Sequence, residues 1–240
     1  PKTVNSFEWE LDDGTVYSVI YNGATHTLTA SAVSGATQDS DGKIYDGDTL
    51  TLTYSASVIN NYGISSIAVN SAVNAGEYRV IIADCGNTDY VPGDATQDFT
   101  IERRTLTSSV ADFTDTAFIY DGDTQGLIVS LGNIVSSDND NVNLVLTVSS
   151  DFTGTTYGAE RSGATYSQKF VAINAGTYTF TLSLGGNRKD NYILAAITRE
   201  FTIIKKDITT EISAEVQRDS IIYRAEAITA DDLKITFGNL

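Results

Sequence analysis

The chain writes one pattern twice and begins it a third time. Val73-Asn74-Ala75-Gly76-Glu77-Tyr78-Arg79-Val80 returns one hundred positions later as Ile173-Asn174-Ala175-Gly176-Thr177-Tyr178-Thr179-Phe180. Asp98-Phe99-Thr100-Ile101-Glu102-Arg103-Arg104 returns as Glu200-Phe201-Thr202-Ile203-Ile204-Lys205-Lys206, and Tyr21-Asn22-Gly23 corresponds to Tyr120-Asp121-Gly122. Such self-similarity is the signature of tandem domains. Ile222-Tyr223-Arg224-Ala225 opens a third unit without an Asn-Ala-Gly half. The expected division is residues 1–104, residues 105–206, and 207–240 as a partial third repeat or strand-exchange tail.

Successive strand residues point to opposite faces, so alternation of apolar and polar residues marks a sheet with one wet side. Phe7, Trp9 and Leu11 alternate with Glu8 and Glu10; Leu50, Leu52 and Tyr54 with Thr51 and Thr53; Tyr78, Val80 and Ile82 flank Arg79. The second unit repeats the device in Leu144, Leu146 and Val148 and in Tyr178, Phe180, Leu182 and Leu184. Two antiparallel sheets bury such faces against each other, whereas a single sheet leaves one in water. The predicted fold is therefore all-β: tandem Ig-like antiparallel β-sandwich domains arranged end to end.

Each recurring motif has a local explanation. Asn-Ala-Gly reads as a tight turn or bulge in which Gly adopts positive φ, and Tyr-(Asn/Asp)-Gly as a strand end followed by a turn. At 99–107 and 201–209 a last strand runs almost directly into the first strand of the next unit through a basic pair. With few residues free to bend, the expected shape is a stiff rod.

Composition narrows the possible partners. The formal charge is −16, from 31 acidic against 15 basic residues, which opposes binding to nucleic acid or an anionic membrane. No apolar run is long enough to span a bilayer in this segment. The single Cys85 cannot close an intrachain disulfide or build a zinc site, and reads as a small apolar filler near a strand end. The absence of Asn-x-Ser/Thr and a start at Pro1 suggest a processed or excised piece of a prokaryotic surface protein.

Taken together, Tyr-(Asn/Asp)-Gly, Asn-Ala-Gly-x-Tyr, the Asp89-Tyr90 and Asn191-Tyr192 pairs and the closing Phe-Thr-Ile-x-(Arg/Lys)-(Arg/Lys) resemble the mostly-β, glycine-rich MBG/YDG repeats of bacterial surface proteins. The resemblance covers residues from about 13 to 209. It implies extracellular or wall-attached proteins whose repeats form stalks and adhesive regions, and it implies no catalytic residues. The third unit departs from it, with Tyr223-Arg224-Ala225 in place of Tyr-Asp-Gly.

Little in the sequence points to chemistry. Asp46, Asp48, Asp121, Asp123, Asp138 and Asp140 are candidate calcium ligands, since close-spaced loop carboxylates can supply the roughly six to eight oxygens the ion takes. No other cofactor is expected. His26 is the only histidine, with Gln125 in its place in the second unit, so it reads as a surface strand residue rather than a base. An intramolecular Lys-Asn bond through Lys2 has no lysine at the matching place in the second unit. Tyr45, Tyr62, Tyr90, Tyr157 and Tyr166 lie in or beside loops where aromatic faces could stack on sugars.

The expected function is a non-enzymatic stalk, scaffold or adhesion module at a prokaryotic cell surface. Its partners are neighbouring repeats or copies of itself, then host or environmental glycans or proteins. A self-assembling fibre or surface-layer subunit, joined by strand addition through residues 207–240 with Phe7–Leu11 as a partner strand, is the first alternative. A carbohydrate-binding adhesin module is the second.

Overall fold

A computed structural model describes residues 1–33, 37–38, 44–45, 49–112, 118–148, 155–208, 212–216 and 233–237. Repeat 1 comprises β1 (Lys2–Val4), β2 (Phe7–Leu11), β3 (Ser18–Ile20), β4 (His26–Ala32), β5 (Thr37–Gln38), β6 (Ile44–Tyr45), β7 (Thr53–Asn61), β8 (Ile67–Ala68), β9 (Ser71–Ala72), β10 (Gly76–Asp84), β11 (Tyr90–Pro92) and β12 (Thr96–Glu102). One face of the sandwich is the sheet β3-β12-β10-β7 and the other is β2-β4-β9-β8. A further sheet, β11-β1-β5-β6, includes the parallel pair Lys2–Val4 with Tyr90–Pro92.

Repeat 2 comprises β13 (Arg104–Thr105), β14 (Thr107–Asp112), β15 (Gln125–Gly132), β16 (Asn143–Val148), β17 (Thr155–Ser162), β18 (Thr165–Ala172), β19 (Gly176–Gly185), β20 (Tyr192–Ile193) and β21 (Ile197–Ile203). Its sheets are β16-β19-β21 and β14-β15-β18-β17. The pairings of repeat 1 recur: β13 lies parallel to β20 as β1 does to β11, and the parallel Ile119–Ile204 bridge stands where Ile20 pairs with Glu102. Only Arg103 separates β12 from β13, so Arg104 already belongs to the second unit. Beyond it, β22 (Ile212–Val216) pairs antiparallel with β23 (Leu233–Phe237), as β14 does with β15. Ile222-Tyr223-Arg224-Ala225, which opens the third unit in the sequence, lies outside the described residues.

The cores follow the alternation. Tyr78, Val80 and Ile82 are buried while Arg79 is exposed and Ile81 faces water, and Tyr178, Phe180 and Leu182 repeat the arrangement. Tyr78 lies opposite Phe99 across β10 and β12, and Tyr178 opposite Phe201, each ring pair 5.2 Å apart. Burial of each such ring contributes roughly 1.5–3 kcal/mol. Leu50 and Leu52 precede β7 and pack with Phe7 and Ala32 around Val4, Cys85 and Tyr90. Burial raises the pKa of the Cys85 thiol, as suits a filler, with the nearby Asp84 charge adding to it.

Strand β10 runs from Gly76 at one end of repeat 1 to Asp84 at the other, about 30 Å at strand rise. The Asn-Ala-Gly turn therefore marks one end of each sandwich, here called distal, and the Tyr90 or Tyr192 strand marks the proximal end. The reason for glycine in that turn differs from the expected one. Gly76 does not adopt positive φ; a Cβ there would stand 2.7 Å from Ser65 Oγ and 2.8 Å from the Tyr78 hydroxyl. It is a close-approach glycine, and the adjoining register shift against β7 between Glu77 and Tyr78 is the bulge. Gly23 and Gly122 do take positive φ, +80° and +86°, as the Tyr-(Asn/Asp)-Gly turn requires.

Candidate functional site

Among the described residues, the most elaborate polar arrangement lies where the distal end of repeat 1 meets the proximal end of repeat 2. It starts from a corner tyrosine: the Tyr78 hydroxyl donates to the Asn74 carbonyl, four residues back, and Tyr178 does the same to Asn174 at 2.5 Å. Such a bond pins the turn preceding a strand of an Ig-like sandwich. Ser65 donates to the Ala75 carbonyl at 2.5 Å, and Asn74 Nδ2 donates to the Ile64 carbonyl at 2.9 Å. Held in this way, Asn74 and Ala75 turn their remaining polar groups toward repeat 2.

Repeat 2 answers with the loop before β20. Asn191, fully buried, accepts the Ala75 N–H on Oδ1 at 2.9 Å, and its Nδ2 lies 3.3 Å from Asn74 Oδ1. Arg188 donates to the same Asn74 oxygen at 2.5 Å, and its Nε stands 3.9 Å from Asp138 Oδ1. Beside them Asp138 accepts two tyrosine hydroxyls on Oδ2, from Tyr21 of repeat 1 at 2.6 Å and from Tyr192 of repeat 2 at 2.8 Å. The rings meet edge to face, 5.6 Å apart. Desolvation, followed for Tyr21 by the hydrogen bond to Asp138, raises both phenol pKa values far above their ordinary range. Their protons therefore stay on the oxygens.

The rim ties in the linker. Arg104 donates through Nε and an amino group to Asn133 Oδ1, at 3.1 and 2.7 Å, and also to the Tyr21 carbonyl. Asn133 Nδ2 donates to the Thr105 carbonyl, and Arg103 stacks on Tyr62 at 4.8 Å. A Cβ on Gly23 would approach Val135 Cγ1 to 2.9 Å. Apolar packing runs through the junction, since Tyr21, Leu106, Ile134, Val142 and Tyr192 belong to one buried cluster spanning both repeats.

The candidate ligands of the sequence fare differently. Asp138 and Asp140 part company: Asp138 is the joint's acceptor, while Asp140 is almost fully exposed with Arg161 3.9 Å away. Asp121 Oδ1 accepts the Asp123 N–H and Gln125 Nε2, which hold its carboxyl below the usual carboxylate range, the Asp123 N–H most of all. Asp46 and Asp48 lie outside the described residues. Among the described residues, no three histidine, cysteine or carboxylate groups gather closely enough to hold a metal ion. His26 is not the surface residue expected. It is buried, with Nδ1 3.3 Å from Asp12 and Nε2 3.1 Å from Asn22, and Gln125 binds Asp121 in the same way in repeat 2. Both side chains brace the turn residue four positions earlier. Of the candidate sugar-stacking rings, Tyr90 and Tyr166 are buried and Tyr62 lies beneath Arg103; Tyr45 and Tyr157 have side chains outside the described residues.

Asn74, Arg188, Asn191, Tyr21 and Tyr192 were not legible as joint residues. A usable signal was the loop Asn187-Arg188-Lys189-Asp190-Asn191, two residues longer than its counterpart Asn87-Thr88-Asp89 in the first unit. Those extra residues place Arg188 and Asn191 against the neighbouring repeat.

Fold and joint define a tandem β-sandwich repeat. No family model and no curated protein matches the sequence. Solved structures do: domains 4 and 5 of the S-layer protein SbsC, at 17% identity over 82% of this chain and 98% of that one, TM-score 0.30. Invasin, a bacterial integrin-binding protein, matches at 14% identity over 90% of this chain and 43% of that one, TM-score 0.35. The Yersinia pseudotuberculosis adhesin InvE matches at 13% over 82% and 58%, TM-score 0.33.

Proposed function

We propose that the chain is a non-enzymatic structural module, a stiff run of sandwich repeats that acts as the stalk or scaffold of a prokaryotic cell-surface protein of the MBG/YDG type. The buried polar joint carries this reading. Donors and acceptors from two domains are matched there at Asp138, Asn191 and Asn74, and a flexible tether needs none of them. An adhesive role for such a stalk at an extracellular surface accords with the SbsC, invasin and InvE likenesses in kind alone. The test is a distance distribution by pulsed electron resonance between spin labels on Val16→Cys and Glu200→Cys, with buried Cys85 left in place. A single narrow distance is expected, broadening when Asp138→Ala and Asn191→Ala are added. A broad distribution in the otherwise unaltered chain would sink the stalk reading.

A further inference from the structure

The distal groups Tyr21, Asn74 and Ala75 with which repeat 1 receives repeat 2, and the linker residues Arg103 and Arg104, have counterparts at the far end of repeat 2. Tyr120, Asn174, Ala175, Lys205 and Lys206 hold the places of Tyr21, Asn74, Ala75, Arg103 and Arg104. Together with Ile208 they line one groove of about 270 Å³. The local frame is the same: the corner bond from Tyr178 to Asn174, the Asp121 side chain accepting the Asp123 N–H as Asn22 accepts that of Ala24, and Gly122 at positive φ like Gly23.

What differs is cover. Tyr21 is 1% exposed and Tyr120 38%. Asn74 is half-buried and Ala75 and Gly76 are buried, whereas Asn174 and Gly176 are exposed and Ala175 is half-buried. A Cβ on Gly23 would strike the next repeat, yet one on Gly122 would meet nothing within 4 Å. Ile173 is 46% exposed on the same end, where its counterpart Val73 in the formed joint is half-buried.

We propose that this groove is a second socket, built to seat the proximal end of a further sandwich repeat. The occupant's chemistry follows from the joint already formed. It presents a carboxylate to the Tyr120 hydroxyl, as Asp138 does to Tyr21, and a primary amide whose oxygen accepts the Ala175 N–H, as Asn191 does for Ala75. The basic Lys205 and Lys206 at the rim favour an acidic or amide-rich loop. The tether is short, because Ile208 lines the groove and the described strand β22 begins only four residues later, at Ile212. Residues 207–240 contain no Arg-x-x-Asn-Tyr loop, so the occupant is a third repeat of which the hairpin β22–β23 is the opening part and whose proximal loop lies outside residues 207–240. This inference rests on the joint being the working element, and adds that the array is built to extend by the same contact.

The test grafts the second socket onto the first in the full chain, with Asn22→Asp, Val73→Ile, Glu102→Ile, Arg103→Lys and Arg104→Lys. If the repeat 2 residues form a competent socket, the Ala75 amide keeps exchanging with solvent deuterium at least tenfold more slowly than Ala175. An Ala75 rate that rises to the Ala175 rate overturns the proposal. A companion chain continues past Leu240 with a copy of residues 135–206, completing a third unit. The Ala175 rate should then fall to that of Ala75 and recover with Asn174→Ala; a folded third unit that leaves Ala175 unchanged also overturns it. Where that unit does not fold, the graft decides. Rapid Ala75 exchange in the unaltered chain would instead count against the stiff joint itself.

Discussion

Tyr78 and Tyr178 occupy matching places in matching motifs, so their substitutions separate two kinds of energy. Tyr78→Phe and Tyr178→Phe each remove one hydroxyl donated to an asparagine carbonyl. Both should cost about 1 kcal/mol in denaturant unfolding of their own repeat. Only Tyr78→Phe should also loosen the joint, because its acceptor Asn74 is bound by Arg188. Equal effects on the joint would show that the turn holds its shape without the bond. The glycines give a cleaner contrast. Gly23→Ala and Gly122→Ala both force a side chain into left-handed backbone, at about 1–2 kcal/mol. Gly23→Ala adds a collision with Val135 and should broaden the inter-repeat distance, while Gly122→Ala should leave it narrow. For Cys85, full burial predicts no labelling by a thiol reagent until the chain unfolds; rapid labelling of native protein would contradict its packing.

At the level of strands and loops, the joint is a set of acceptors on one element meeting donors on another. Asp138→Ala would leave two buried tyrosine hydroxyls without their acceptor, at about 1–3 kcal/mol each if nothing rearranges. Calorimetry should then resolve two transitions, one per repeat, where coupled domains give one. Alkaline pH probes the same contact. The phenol pKa values of Tyr21 and Tyr192 are raised in the fold, so the stabilisation they give is complete below the ordinary tyrosine value of about 10 and declines as pH climbs past it. The stability gap between the unaltered chain and a Tyr21→Phe, Tyr192→Phe chain should be constant up to about pH 10 and narrow above it. A constant gap to higher pH would mean the hydroxyls contribute nothing through their protons. Strand periodicity made these elements readable in advance: Tyr78, Val80 and Ile82 face inward as the alternation required. The joint was harder to read, since Asn74 and Asp138 look like ordinary turn residues until two domains are set end to end, and proximity across 117 positions leaves no periodic trace.

For the whole molecule, repetition did more than composition. The returning Asn-Ala-Gly-x-Tyr and Phe-Thr-Ile segments each start or end a core strand, so their recurrence located matching strands in the two repeats. Composition spoke to partners only through charge. His26 was misread because its neighbours in space, Asp12 and Asn22, give it a buried polar niche that no alternation announces. The single residue between β12 and β13 has a further mechanical meaning. Should tension break every bond of the joint, the one-residue connection at Arg103 still holds the two repeat ends together at a single hinge. The separated groups stay at very high effective concentration, and closure is a unimolecular event that dilution cannot slow. A joint of this construction opens under load and reseals when the load is gone.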